Sequence, residues 1–280
     1  MNWSKVEELA LLGYWRNDMA SFLNSTTSVL TGLRRLELEG GCSGAMLQLV
    51  QNLRNNSLTH VTWRGCHNPD LPSIVQESQG SFLQHLDVHI VETTHVESPA
   101  FSASELEPLR HMSNLTYLAL NVARNGTWPF ETLSGISRIP SLRTADVWVD
   151  IASTCRKQKE NNYWSEQDSA CVGEDQFLLP FINETSTLEV FKYLRANKVG
   201  HELTNVTFWG GDWSRAWDGP IYSPPWIEHR RTKVVCSVKD EIALGEATCT
   251  VIEGANYWKS IGRRYWEYVD DDDAVNEYIV

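Results

Sequence analysis

The chain has 280 residues, enough for one large domain or two modest ones with a real core. Hydrophobic residues supply 42% and charged residues 21%, a globular balance that excludes wholesale disorder. The formal net charge of -12 argues against nucleic acid or an anionic membrane as partner, since both are held by clustered Lys and Arg. Part of that charge is local, in the run Asp270-Asp271-Asp272-Asp273, which reads as a solvated tail.

Residues 3–13 read as a strand, with Val6, Leu9 and Leu11 at the first, fourth and sixth places of a short phrase. Apolar residues at the fourth and sixth places bury one strand face and leave the third, fifth and seventh residues on the other. The phrase returns as Leu33, Leu36 and Leu38, then as Leu58, Val61 and Trp63, with Cys66 at the ninth place of that copy. Leu83, Leu86 and Val88 follow, then Leu115, Leu118 and Leu120, then a degenerate copy, Leu142, Ala145 and Val147. Copies lie 25 to 32 residues apart, in or near the range of leucine-rich repeats. Because the first phrase opens so close to Met1, with no polar cap ahead of it, the chain is expected to begin inside its own array.

Between phrases lie candidate helices. Ser43 precedes Met46, Leu49 and Val50; Ser104 precedes Leu106, Leu109 and Met112; Pro129 precedes Phe130, Leu133 and Ile136. The stretch from Cys66 to Leu83 carries Pro69, Pro72 and Gly80, and is expected to hold only a turn or two of helix. Residues 1–150 are thus read as the repeat array, and 151–174, polar and charged, as an insertion on one face. Residues 175–215 contain a helix expected over Phe177–Tyr193 and one more phrase, Leu203, Val206 and Phe208. Residues 216–280 form a cap, in which Lys233–Val238 and Ala247–Ile252 are expected to pair as a hairpin ahead of the acidic tail. The fold class is therefore α/β: a curved parallel sheet with helices or irregular segments on its convex side, closed by a Trp-rich end that includes Trp209, Trp213, Trp217 and Trp226.

Parallel strands bring equivalent positions to about 4.8 Å from one another, so each phrase position becomes a row. The third position supplies Arg35, His60, His85, Tyr117, Thr144 and Asn205. The fifth supplies Glu37, Thr62, Asp87, Ala119, Asp146 and Thr207, and the seventh Glu39, Arg64, His89, Asn121, Trp148 and Trp209. Such a varied, aromatic-tipped surface suits binding of a protein partner. The residues expected to bind are Arg35, Glu37, His60, Arg64, His85, Asp87, His89, Tyr117, Asn121, Asp146, Trp148 and Trp209. They are read as protruding, so alanine at Arg64, His85, Asp87, His89, Trp148 or Trp209 should weaken capture without changing the melting temperature. His60, His85, Asp87 and His89 have ligand chemistry for zinc or nickel, but a polar patch is the preferred reading, and no metal or cofactor is expected.

There is no nucleophile elbow, phosphate loop, dinucleotide fingerprint or HExxH, so no enzyme is expected. The six cysteines form no CxxC pair, which argues against structural zinc, and Cys66 is read as structural. No run is long enough for a membrane span, and no signal-peptide pattern opens the chain. Seven Asn-x-Ser/Thr triplets are present, starting at Asn24, Asn55, Asn114, Asn125, Asn183, Asn205 and, at the very start of the chain, Asn2. Chance supplies part of that number in a chain rich in Asn, Ser and Thr, and a reduced, intracellular setting is expected.

The repeat phrases from Val6 to Val147, with the close Trp209-Gly-Gly-Asp-Trp213-Ser-Arg-Ala-Trp217-Asp-Gly-Pro220, Trp226 and Lys233-Val-Val-Cys-Ser-Val238, resemble the leucine-rich-repeat portion of fungal F-box-type proteins. The resemblance implies a solenoid that selects substrates, joined to a cullin-based ubiquitin ligase by an amino-terminal F-box. Residues 1–32 read as a repeat with no helical trio, so ubiquitin ligase machinery is expected as a partner only through an amino-terminal F-box that these residues do not supply. What the resemblance implies here is partner recognition without catalysis. A secreted, glycosylated recognition domain and a partnerless scaffold or gene fragment are the alternatives.

Overall fold

The computed structural model describes residues 2–12, 25–93, 97–161, 175, 177–211, 213, 232–238 and 246–253. Among these, nine strands form one sheet: β1 Glu8–Leu11, β2 Arg35–Glu39, β3 His60–Arg64, β4 His85–Val88, β5 Tyr117–Asn121, β6 Thr144–Val149, β7 Asn205–Gly210, β8 Thr232–Val238 and β9 Ala247–Glu253. Their order in the sheet is their order in the chain. β1 to β7 are parallel, while β8 and β9 continue the sheet antiparallel.

Each phrase begins its strand with the same backbone device. The carbonyl of Arg34 accepts from the amides of Thr59 and His60, that of Thr59 from Gln84 and His85, and that of Gln84 from Thr116 and Tyr117. Thr116 serves Arg143 and Thr144 in the same way, and Arg143 serves Thr204 and Asn205. One carbonyl per phrase thus satisfies two donors of the next, which locks the register before the strand proper begins. At the other strand end Gly65, with φ +82°, turns the chain out of β3 in a conformation that disfavours any side chain.

Six α-helices connect the strands among the described residues: α1 Gly44–Asn52, α2 Leu71–Gln79, α3 Ala103–Leu106, α4 Phe130–Ser137, α5 Thr154–Asn161 and α6 Glu184–Ala196. Leu36, Leu38, Val61, Trp63, Leu86, Leu118 and Val147 form one buried cluster with Met46, Leu49, Val75, Leu106, Leu133 and Phe191 of the helices. The fourth- and sixth-position face is therefore the packed face, as the alternation demands.

Three local expectations are corrected. The stretch after Cys66 holds nine helical residues, α2, because Pro72 falls in the first turn, where it costs no hydrogen bond. Gln79 at the end of α2 is fully buried, and its Oε1 accepts from the amides of Ser57 and Leu58, both at 2.9 Å. The helix expected over Phe177–Tyr193 starts only at Glu184 and ends at Ala196. Pro180 disfavours helix at the residue before it, and Asn183 caps the true start by accepting from Ser186 N at 2.9 Å. The described part of the polar insertion forms helix α5 and turns two of its charged side chains inward: Arg156 and Lys157 are buried. Its remainder, 162–174, lies outside the described residues, as do Trp217, Trp226 and the acidic tail.

The expected hairpin is present as β8 and β9, with Cys236 and Cys249 bonded across it. A second disulfide, Cys42–Cys66, joins the turns after β2 and β3. Cys155 is also disulfide-bonded, and no described cysteine is free. These bonds run against the reduced setting expected from the sequence, because disulfides persist in oxidising compartments. No described helix is long and apolar enough to cross a membrane. Replacing Cys42 and Cys66 by Ser is expected to lower the unfolding free energy by about 3 kcal/mol, from loop entropy at a sequence separation of 24. Urea denaturation of the two proteins checks this.

Candidate partner-binding face

The register assembles the expected rows. Arg35 pairs with His60, His60 with His85, His85 with Tyr117, Tyr117 with Thr144 and Thr144 with Asn205. The fifth-position row runs from Glu37 through Thr62, Asp87, Ala119 and Asp146 to Thr207, and Asn121, Trp148 and Trp209 align in the seventh. His89 lies one residue past β4, yet its carbonyl accepts from Gly65 N at 3.0 Å, which keeps it beside the strand of Arg64.

The rings stack along the rows. His60 and His85 lie 5.3 Å apart between centroids, and His85 and Tyr117 stack 4.0 Å apart with their ring planes nearly parallel, at 2°. In the seventh row His89 stacks on Trp148 at 3.9 Å and Trp148 on Trp209 at 5.1 Å. Trp213 meets Trp209 edge-on at 4.8 Å, and the Lys233 ammonium sits 4.0 Å from the Trp209 ring centre, a cation–π contact. Asp146 ties the rows together. Its Oδ2 accepts from Tyr117 Oη and from Trp209 Nε1, each at 3.0 Å. Burial pushes the Asp146 carboxyl up, and the hydrogen bonds from Trp209 and Tyr117 pull it back. Burial, and then the Asp146 charge, push the Tyr117 phenol well above its ordinary value.

Toward β1 the face is wet and charged. Arg64 Nη1 lies 2.7 Å from Glu37 Oε1, and Arg35 Nη1 lies 3.1 Å from Glu8 Oε1. Exposed pairs of this kind contribute at most about 1 kcal/mol, so they leave the groups free to exchange partners. Glu8 was missed as a site residue although it holds the third place of the first phrase, opposite Arg35. Burial depresses the imidazoles of His60 and His85, with the charge of Arg35 acting in the same direction.

Toward β6 the face is buried, and here the expectation of protruding side chains is corrected. Asp87, His89, Asn121 and Trp148 are only 8%, 6%, 4% and 8% exposed. His89 and Trp148 cover each other's ring faces, and His89 Nδ1 lies 2.5 Å from Asp87 Oδ1. Asn121 clamps the backbone of Ile90, accepting from its amide at 2.6 Å and donating to its carbonyl at 2.8 Å. Alanine at Trp148 is therefore expected to cost about 3 kcal/mol of stability, as large buried rings do. Alanine at exposed Arg64 should cost under about 0.5 kcal/mol. Thermal melts of the two variants distinguish them. The histidines do not converge: no group of three or more His, Cys, Asp or Glu among the described residues is placed to hold a metal.

Just past the ends of β4, β5 and β6 lies a buried charge cluster that carries no phrase position. Both oxygens of Glu92 are engaged, Oε2 by Ile151 N at 2.7 Å and Oε1 by Ala152 N at 2.8 Å. Lys157 Nζ contacts Asp150 Oδ2 and lies 3.4 Å from Glu92 Oε1. Arg124 donates to the carbonyls of Asp150, at 2.6 Å, and Pro180. Burial pushes Glu92 up to about 7, with the Asp150 charge adding to the shift and Lys157 and the two amides opposing it. Burial also pulls Arg124 down to about 10. The cluster pins the segments after three strands to one another and so fixes the buried end of the face. On the helical side, a cleft of about 330 Å³ lined by Glu107, Phe130, Glu131, Ser134 and Arg138 contains none of the row residues.

Comparison with models of known protein families gives no match for this chain, and comparison with curated protein sequences gives none either.

Proposed function

We propose that the chain is a leucine-rich-repeat solenoid whose concave, polar sheet face captures another protein without performing chemistry on it. The observation that carries this reading is the row register, which gathers charged, imidazole and aromatic side chains from seven strands onto the face opposite the helices. An exposed charged half beside a rigid aromatic half suits a partner that docks apolar and polar groups together, the usual anatomy of binding hot spots. The exposed contact residues are Arg35 and Arg64, with Glu37, His60, His85, Tyr117, Asp146 and Trp209 partly exposed beside them. Asp87, His89, Asn121 and Trp148 support them from beneath.

A photo-cross-linking residue at Arg64 should trap the partner in living cells, and the same residue at Glu77, exposed on helix α2, should trap none. Equal trapping at both positions, or trapping at Glu77 alone, would remove the face from the reading.

The resemblance to fungal F-box-type proteins extends the proposal: the captured protein would be a substrate for ubiquitin transfer in an intracellular setting. The disulfides favour the rival, a secreted recognition domain. The gene sequence immediately upstream of Met1 separates the two. An in-frame F-box supports the ligase adaptor, and a signal peptide supports secretion.

A further inference from the structure

Six of the seven Asn-x-Ser/Thr triplets fall within the described residues, and their environments differ sharply; in the first, Asn2 Oδ1 accepts from Ser4 N at 3.2 Å and from Ser4 Oγ at 2.6 Å. Asn114 Nδ2 donates to Ser81 O at 2.6 Å, and Asn183 caps α6. Asn205 sits in the third-position row of the face, with Oδ1 buried and unpartnered. Asn55, in a turn ahead of β3, and Asn125, in a bend after β5, are exposed and lie beyond opposite ends of the strands. Asn125-Gly126-Thr127 is exposed throughout, and Gly126, at φ +77°, has open space where a Cβ would lie. In the Asn55 triplet, by contrast, Ser57 is only 2% exposed.

We propose that Asn125 and Asn55 are N-glycan acceptors, and that this chain matures in an oxidising lumen. Two independent observations meet here. The Asn125 triplet stands clear of the packed structure throughout, and the acceptor side chain of the Asn55 triplet is exposed. Cys42, Cys66, Cys155, Cys236 and Cys249 are all disulfide-bonded, as persists where such glycans are attached.

In the transfer, Nδ2 of Asn125 bonds to C1 of the first sugar of a polyprenyl-diphosphate-linked oligosaccharide. The bond from C1 to the diphosphate oxygen breaks, the polyprenyl diphosphate leaves with that electron pair, and Nδ2 gives up one proton. No oxidant is consumed. Asn125 is accessible in the folded chain, whereas Asn55 must be modified before Ser57 packs. Glycans at these strand ends leave the side-chain rows bare, while one at Asn205 would cover the third-position row. Asn205 is therefore expected to stay unmodified. Neither Asn125 nor Asn55 belongs to the face, so the inference is independent of partner capture itself, but it favours the secreted alternative and excludes a substrate for intracellular ubiquitin transfer.

The test uses the full protein, epitope-tagged and recovered from its native host, treated with peptide N-glycosidase and then mapped by peptide mass spectrometry. The expected result is a faster-migrating band after digestion, aspartate at positions 125 and 55, and unchanged Asn205. Asn125→Gln and Thr127→Ala should each remove the same mobility step, since both destroy the triplet at exposed positions. Unchanged mobility with intact Asn125 and Asn55 would overturn the proposal, as would occupancy confined to Asn205. A step lost in Asn125→Gln but retained in Thr127→Ala would overturn it too.

Discussion

Replacing Lys157 by Met is expected to remove about 3–5 kcal/mol of stability, the typical result of leaving a buried charge without its partner. Lys157 is 2% exposed and stands between the carboxylates of Glu92 and Asp150, themselves 7% and 8% exposed in their side chains. Methionine fills much of the same volume, so the loss reports charge and not a cavity. Acid should repair part of the damage. Glu92 is held up at about 7, above its ordinary 4.5, so the native chain retains a proton that the unfolded chain has released. A carboxyl raised in this way contributes fully below about 4.5, and its contribution is lost as the pH rises through about 7. Removing Lys157 takes away the cation that opposes the shift, so the deficit of the variant should be larger at pH 8 than at pH 5. Urea melts at both values check the magnitude and the sign, and Glu92→Gln in the variant background should recover part of the loss.

Trp63→Ala should cost a comparable amount, about 3–5 kcal/mol, as large buried rings do. Trp63 is fully buried at the sixth place of its phrase, and its indole Nε1 donates to the Gly40 carbonyl at 3.1 Å. That bond reaches from β3 to the turn after β2, beside the Cys42–Cys66 bridge. Removing the ring thus loosens two neighbouring strands at once. Phenylalanine should restore most of the packing while leaving the Gly40 carbonyl without its donor, so Trp63→Phe should fall between the wild type and Trp63→Ala in denaturant melts.

The strands and their rows were legible because one rule governs them all. An apolar residue at the first, fourth and sixth places dictates which side of the pleat is buried, and a repeat of that pattern dictates which residues become neighbours. Leu36, Val61, Leu86 and Leu118 pair in succession for that reason. The charge cluster was not legible, because Glu92, Arg124 and Asp150 lie beyond the seventh place, where the alternation no longer says which side chains are buried, and they meet Lys157 only where three strand ends converge. Lys157 even sits in the polar run Arg156-Lys-Gln-Lys-Glu160, which by composition reads as a solvated surface. Burial of His89 and Trp148 depends on each ring covering the other within one row, a property of the pair that neither position declares alone. The Cys42–Cys66 bond was hidden because the partners fall at different places in successive phrases, the tenth and the ninth.

Side chains distant in the chain must touch in single rows if this face is a binding surface, and the contact between His85 and Tyr117 reports that most directly. Two-dimensional NOE spectroscopy should give strong cross-peaks between the two rings, with the His85 ring protons moved upfield by the stacked phenol. Tyr117→Leu should abolish that upfield shift and leave the Trp148–Trp209 cross-peaks in place. A His85 ring with free-imidazole shifts and no contact to Tyr117 would contradict the row register, and the proposed face would go with it.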